Sequence, residues 1–371
     1  MMKQRLKGVC PILPTPFLED GSIDVQGLRN EVNFMIKAGV SGIALFGNAS
    51  EAFALTGKEK QLIADVVREE NKGRVPLVFG AGGTGIAPAV ESSLWAEKNG
   101  ADILMIMPPH MIKPDAQRIY EFYAAIAQAV KTPVMIQDAP NACGVAVPVD
   151  IMVRLAKEYE NIQYVKAEAP PTFRKAKQIV DAAGDKLTVF GGLNATFFYE
   201  ELCVGVVGTM PAGEFPDVAV RVYDLFAAGK KTEAKAVFYR YLPFIRLGSI
   251  PGGMAMAVHK EVLKRGGIIQ TSKVRNPFIP ADIRRMSAED LLDISWEKVD
   301  VYSVAKIILY CINPNLTHSN CSTSKALMEL ETLDFSDDFV DFFENILDND
   351  TVNNPSLEEM KEIFENELKY K

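Results

Sequence analysis

The sequence predicts an α/β protein built on a (β/α)8 TIM barrel, extended by additional C-terminal helices and an acidic helical tail. Over the first 210 residues, eight short apolar, β-branched runs alternate with longer segments of helical period. The runs start about 17 to 34 residues apart, near the roughly 30 residues of a βαβ unit. Most are almost continuously apolar, the pattern of parallel strands covered on both faces. Eight is the closure number of the barrel, and no second fold begins midway, so a closed barrel is expected over an open doubly wound sheet.

In chain order the expected strands are residues 8–13, 42–46, 76–81, 103–107, 134–138, 164–168, 188–191 and 205–210. Between the second and third, Thr56 is placed to cap a helix, with Glu59 at the reciprocal capping-box position and Leu62, Ile63, Val66 and Val67 at helical spacing. Phe122, Ile126 and Val130 line one face of a later helix. Residues 215–229 read as the last barrel helix, with 234–247 and 254–265 as further helices packing on the barrel. The expected domains are therefore a barrel over 1–230, C-terminal helices over 231–298 and an appendage over 299–371. In that appendage acids alternate with Phe335, Phe339 and Val340, and Ser356 with Glu359 opens an amphipathic helix.

Composition narrows the class. Of 371 residues, 48% are hydrophobic and 24% charged, the balance of a globular chain. The net charge of -8 is unevenly placed: residues 301–371 carry 14 acidic against 5 basic residues, which leaves residues 1–300 near neutral at +1. The basic footprint of a nucleic-acid partner is absent. No apolar run approaches the roughly 18 residues that span a bilayer; 303–312 comes nearest, and Lys306 interrupts it. The start, Met1-Met2-Lys3-Gln4-Arg5, does not lead into an apolar signal region. The five cysteines (10, 143, 203, 311, 321) form no CxxC pair and there are only three histidines (110, 259, 318). Disulfide frameworks and metal sites are therefore not expected, and a reducing cytoplasm is.

Lys166 is the most informative residue. In Tyr164-Val165-Lys166-Ala167-Glu168, strand alternation sends Tyr164, Lys166 and Glu168 to one face and Val165 and Ala167 to the other. If the apolar pair faces the helices, the interior receives a tyrosine, a lysine and a carboxylate. Enclosure disfavours the charged amine, so its pKa should fall toward neutrality. A neutral amine condenses with a ketone to form a Schiff base, an electron sink for bond breaking at the next carbon. The competing reading is a structural ion pair between Lys166 and Glu168.

Gly47-Asn48-Ala49-Ser50-Glu51, directly after the second strand, is either a cradle of backbone N–H groups for a substrate carboxylate or an ordinary turn with a serine cap. Gly80-Ala81-Gly82-Gly83-Thr84-Gly85 fits G-x-G-x-x-G, but dinucleotide binding also needs an acid ending the next strand, and that strand ends in Met107-Pro108. The glycines fit a flexible loop facing the site, or tight packing. His110 follows the fourth strand, where barrel enzymes place catalytic groups; it is a proton shuttle or simply solvated. Glu214 reads as a helix-start carboxylate.

These motifs line up with a known family. Cys10-Pro11-Ile12-Leu13-Pro14-Thr15-Pro16-Phe17, the 47–51 turn and the strand lysine together resemble the dihydrodipicolinate synthase / N-acetylneuraminate lyase family over about residues 5–295. The resemblance implies a Schiff-base (β/α)8 enzyme acting on 2-keto acids, usually a homotetramer, with Lys166 as the Schiff-base lysine and no metal or organic cofactor. The departures are equally informative. Asn48-Ala49-Ser50 stands where the family has Thr-Thr-Gly; Gln137-Asp138 replaces the fifth-strand Tyr-Asn; His110-Met111 replaces a tyrosine pair; and Ala142 occupies the place of a carboxylate-binding arginine. Dipicolinate-type synthesis and sialic acid cleavage both lose their usual groups.

The replacements, Ser50 to Leu55, Met107-Pro108-Pro109, Gln137 to Pro140 and Lys166 to Pro170, resemble the family's L-2-keto-3-deoxyarabonate dehydratase branch. That resemblance implies loss of water from a five-carbon 2-keto-3-deoxy sugar acid to give 2-oxoglutarate semialdehyde. An aldolase and a pyruvate-condensing synthase are the alternatives. Under it Glu168 is a candidate acid/base and Gln137 a hydrogen-bonding group, since an amide cannot replace a phenol as a proton shuttle. Asn48, Ala49 and Ser50 would hold the substrate carboxylate through backbone N–H groups and the serine hydroxyl, with His110 also at the substrate.

Overall fold

The eight apolar runs fold as eight parallel strands, β1 (Gly8–Val9), β2 (Ile43–Leu45), β3 (Leu77–Gly80), β4 (Ile103–Ile106), β5 (Val134–Asp138), β6 (Ile162–Ala167), β7 (Thr188–Gly191) and β8 (Gly208–Thr209). The computed structural model describes residues 5–249 and 255–277. These belong to the first of the two units into which the chain divides, Met1–Ala281. The second, Asp282–Lys371, contains the expected acidic appendage and lies outside the described residues.

The hydrogen-bonded order is β1-β8-β7-β6-β5-β4-β3-β2. Ile12 closes the ring by bridging both Ala44 and Ala212 in parallel, with Leu13 N–H donating to the Ala44 carbonyl at 2.8 Å. The regular part of β1 is shorter than the 8–13 run because Pro11 has no N–H to give the ladder. The run at 205–210 shortens to Gly208–Thr209 because its start belongs to a turn, with Gly205 left-handed at φ 98 and its N–H on the Leu202 carbonyl.

The helices are α1 (Val25–Lys37), α2 (Gly57–Asn71), α3 (Ile86–Lys98), α4 (Ala116–Ala129), a short α5 (Pro140–Cys143), α6 (Val149–Glu158), α7 (Thr172–Ala183), α8 (Phe198–Cys203), α9 (Pro216–Ala227), α10 (Lys231–Leu247) and α11 (Ala255–Arg265). Thr56 and Glu59 form the expected capping box at the start of α2. The expected helices at 215–229, 234–247 and 254–265 correspond to α9, α10 and α11.

The period-two pattern sorts the strand residues into two layers. Val78, Met105, Met135, Tyr164 and Phe190 point into the barrel, while Phe79, Leu104, Ile136, Val165 and Ala167 pack against the helices. Each such large apolar side chain contributes roughly 1.5–3 kcal/mol on burial. Tyr164 takes the N-terminal end of the interior, where its hydroxyl accepts the Leu6 N–H at 3.0 Å. Tyr164→Phe orphans that donor and is expected to cost about 1–3 kcal/mol in urea denaturation. An unchanged midpoint would show that the Leu6 contact contributes nothing.

Candidate active site

Lys166 enters the barrel through the register of β6, which pairs it with Gln137 on β5 and Phe190 on β7. It is 4% exposed, and its Nζ lies 3.1 Å from Oε1 of Glu168. The expected face is therefore the observed one, and the ion pair proposed as the competing reading is also present. The two are compatible, since a carboxylate in contact is the base available to take the amine's proton. Below the lysine, burial pushes the Cys10 thiol up to about 12, so it stays protonated at neutral pH.

Glu168 is held from several sides. Gln137 Nε2 donates to Oε2 at 2.8 Å and the Leu193 N–H to Oε1 at 2.9 Å. Its own N–H donates to the Asp138 carbonyl at 2.9 Å. Gly192 leaves the carboxylate room, since a Cβ there would collide with Oε1 of Glu168. Lys166, Glu168 and Gln137 thus form one contact group at the C-terminal ends of β5 and β6, the end at which barrel enzymes do chemistry.

Gln137 also lines a cavity of about 330 Å³ running over the ends of β2 to β5. Asn48, His110, Met105, Lys60 and Thr84 line it too, as does the glycine-rich segment 80–83. Those glycines line a cavity that shares Gln137 with the Lys166 group, and they are also tightly packed, so both readings of the segment have a structural basis. At Gly80 any Cβ would meet the Phe46 carbonyl. Lys60 carries a pKa lowered by partial burial, and His110 Nδ1 is buried without a hydrogen-bond partner among the described residues.

The turn after β2 is a single 3-10 turn, Asn48–Ser50. The Ser50 N–H closes on the Gly47 carbonyl and the Glu51 N–H on that of Asn48, so the Asn48 and Ala49 N–H groups precede its first bonds. Ala49 itself packs into the barrel interior. The Ser50 hydroxyl, expected to donate to a substrate carboxylate, is 2% exposed and donates instead to the Leu13 carbonyl at 2.6 Å. Thr15 Oγ1 donates to the Ser50 carbonyl at 2.6 Å. Serine is used here to tie the turn to the first strand, and any cradle is made of backbone.

Several groups around the site meet partners that local sequence pattern does not announce. Glu51, left-handed at φ 53, is fully buried against Lys260 of α11. Glu214 stands just before the start of α9, as expected, but its carboxylate is engaged across the fold: it is 7% exposed and bonded to His259 Nδ1 at 2.7 Å, because α11 folds over that end of the barrel. Asp138 points out of the barrel to Lys175 Nζ at 2.6 Å, with burial raising its pKa against the pull of that lysine. Glu201 of α8 is fully buried beside Gly191.

Among the described residues no helix is long and apolar enough to cross a membrane, and no group of three or more His, Cys, Asp or Glu is arranged to hold a metal ion.

The match of known proteins follows the barrel. The model of the dihydrodipicolinate synthetase family matches residues 5–291. L-2-keto-3-deoxyarabonate dehydratase of Azospirillum brasilense is 32% identical over 279 residues, covering 74% of this chain and 89% of that protein. 4-Hydroxy-tetrahydrodipicolinate synthase of Methanopyrus kandleri is 30% identical over 245 residues, covering 65% and 81%. Among solved structures, dihydrodipicolinate synthase of Acinetobacter baumannii complexed with pyruvate superposes with a TM-score of 0.71 at 26% identity, covering 78% of this chain and 98% of that one.

Proposed function

The chain belongs to the dihydrodipicolinate synthetase family, and from that membership we propose that it is a Schiff-base-forming lyase that dehydrates L-2-keto-3-deoxyarabonate to 2-oxoglutarate semialdehyde. One observation supports this most: Lys166 lies inside the barrel with Glu168 at 3.1 Å and an amide, Gln137, where the family's phenol would stand. Among the described residues, the acid/base in contact with the amine is then a carboxylate. Pyruvate in the solved Acinetobacter relative indicates the class of acid.

In the proposed reaction, Lys166 Nζ attacks the C2 carbonyl and that oxygen leaves as water, giving an iminium. Glu168 removes a proton from C3, which the iminium has acidified, and the electron pair forms the enamine. The enamine pushes out the C4 hydroxyl, which takes a proton from Glu168 and leaves as water. Loss of a proton from C5 and gain of one at C3 leave a C4–C5 enol, which gains a proton at C4 and loses its hydroxyl proton to become the aldehyde. Water then adds to the C2 imine carbon and the amine leaves. The Asn48 and Ala49 N–H groups would hold the C1 carboxylate. Gln137, His110, Thr84 and Lys60 would face the hydroxylated end and supply hydrogen-bonding groups in an otherwise apolar lining.

The assembly we propose is a homo-oligomer in the cytoplasm. Ile86, Met111 and Ile112, 45–80% exposed, follow β3 and β4 in the chain and offer apolar surface that a second copy would cover.

A product assay tests the chemistry. Purified protein with the two C4 epimers of the five-carbon acid is expected to convert one of them to the semialdehyde without carbon–carbon cleavage. Release of pyruvate would make the enzyme an aldolase using the same imine, and no turnover of either epimer would overturn the substrate.

A further inference from the structure

Two consecutive residues of α11, His259 and Lys260, are buried at 2% and 0% exposure, and each is directed to a different wall of the site. We infer that α11 is the brace that sets the active-site geometry, Lys260 positioning the carboxylate-binding turn through Glu51 and His259 positioning Glu168 through Glu214 and Asn194. The inference rests on the roles proposed above for that turn and for Glu168. Neither residue is placed to touch substrate, so both are positioning residues.

On the first wall, Glu51 ends the Asn48–Ser50 turn in a left-handed conformation that a non-glycine residue adopts only when its surroundings enforce it. Lys260 Nζ donates to one carboxylate oxygen of Glu51 and the Arg275 N–H to the other, the latter at 2.8 Å. Lys260 also donates to the Lys273 carbonyl at 2.8 Å. Both cations also lie over the Phe17 ring, with Lys260 Nζ 4.1 Å and Arg275 Cζ 4.3 Å from its centroid. A buried carboxylate with both oxygens engaged has one stable place, and the turn before it inherits that place.

On the second wall, Leu193, Asn194 and Ala195 are three consecutive non-glycine residues with φ of 47, 52 and 61. This costly turn is what aims the Leu193 N–H at Glu168. Asn194 holds it by accepting the Ala212 N–H at 2.9 Å and donating to the Ile245 carbonyl at 3.2 Å. Its amide also reaches Glu214 at 3.4 Å, and His259 Nδ1 fixes that carboxylate at 2.7 Å. At Gly248 a Cβ would collide with the Asn194 amide, so α10 is fitted to the same latch.

Separate positioning of two walls predicts separate kinetic losses. In the full chain, His259→Ala is expected to lower kcat by about tenfold or more with KM nearly unchanged, because Glu168 is displaced and the cradle is not. His259→Asn, whose amide nitrogen falls near Nδ1, should recover most of that loss. Lys260→Met alone strands a buried carboxylate and is prone to unfold, so the paired variant Lys260→Met with Glu51→Gln is the working test. It should raise KM by about tenfold with the smaller change in kcat.

Borohydride trapping with pyruvate and mass spectrometry runs alongside on each variant. An adduct on Lys166 in the parent chain and in the His259 variants, together with the kcat-against-KM split, is the expected result. If the adduct forms but folded variants keep parental kinetics, or lose kcat and KM in the same proportion, the brace is wrong and the Schiff-base reading stands. A paired variant that does not fold also counts against the brace, since it makes Lys260 a stability residue. If the parent chain gives no adduct, the reading beneath the brace fails first.

Discussion

Replacing Lys166 by arginine is expected to abolish turnover, by roughly four orders of magnitude or more, while leaving the barrel folded. Arginine keeps the cation that faces Glu168, so the buried carboxylate is not stranded and stability should change little. What arginine cannot do is lose its proton at any ordinary pH, so no amine lone pair is available to attack a carbonyl. An alanine replacement would confuse the two effects, because it removes the nucleophile and the counter-ion together. Steady-state rates combined with borohydride trapping check the expectation: the parent chain should carry a keto-acid adduct on Lys166, and Lys166→Arg none. Activity above one-tenth of the parental rate in the arginine variant would mean that the lysine is only the ion-pair partner of Glu168, and the proposed chemistry would go with it.

That residue was legible because the sheet has a period of two. Knowing that Val165 and Ala167 are apolar is enough to place Lys166, Tyr164 and Glu168 on the opposite face, and all three are found there or at its rim. The Thr56–Glu59 capping box was legible for a similar reason, since both partners lie within one helical turn. Local pattern says which face a residue occupies but not what it meets across the fold. Glu51 and Lys260 are 209 positions apart, and Glu214 and His259 are 45 apart. The left-handed run at Leu193 to Ala195 contains no glycine, and Asn194 favours positive φ at one position only, too little to mark three in a row. Ser50 shows the opposite failure: its residue type and position in the turn suit a substrate donor, but its proton goes to Leu13.

Stability should fall as pH rises from about 4.5 to about 8, and Glu201→Gln should remove the part of that fall which Glu201 causes. The side chain is fully buried in the layer between β7 and α7. Thr172 Oγ1 donates to one of its oxygens, and the other has no hydrogen-bond partner among the described residues. Burial raises its pKa from the ordinary 4.5 to about 8; Thr172 and Lys166 oppose the shift, and Glu168 adds to it. The sign follows from proton counting. Between the two values the folded protein keeps the proton while the unfolded chain has released it, so raising the pH favours unfolding. Each unit of the difference corresponds to about 1.4 kcal/mol, which makes the total a few kcal/mol. Glutamine can accept the Thr172 hydrogen bond at the same oxygen and has no proton to lose. Parent and variant should therefore have similar urea midpoints near pH 4.5, with the variant progressively more stable toward pH 9. Taking the difference between the two curves cancels other groups, such as Glu59, whose pKa Arg275 holds down at about 2 and whose contribution is lost only in acid. Parallel curves across this range would show that Glu201 is ionised in the folded protein and that its charge is compensated.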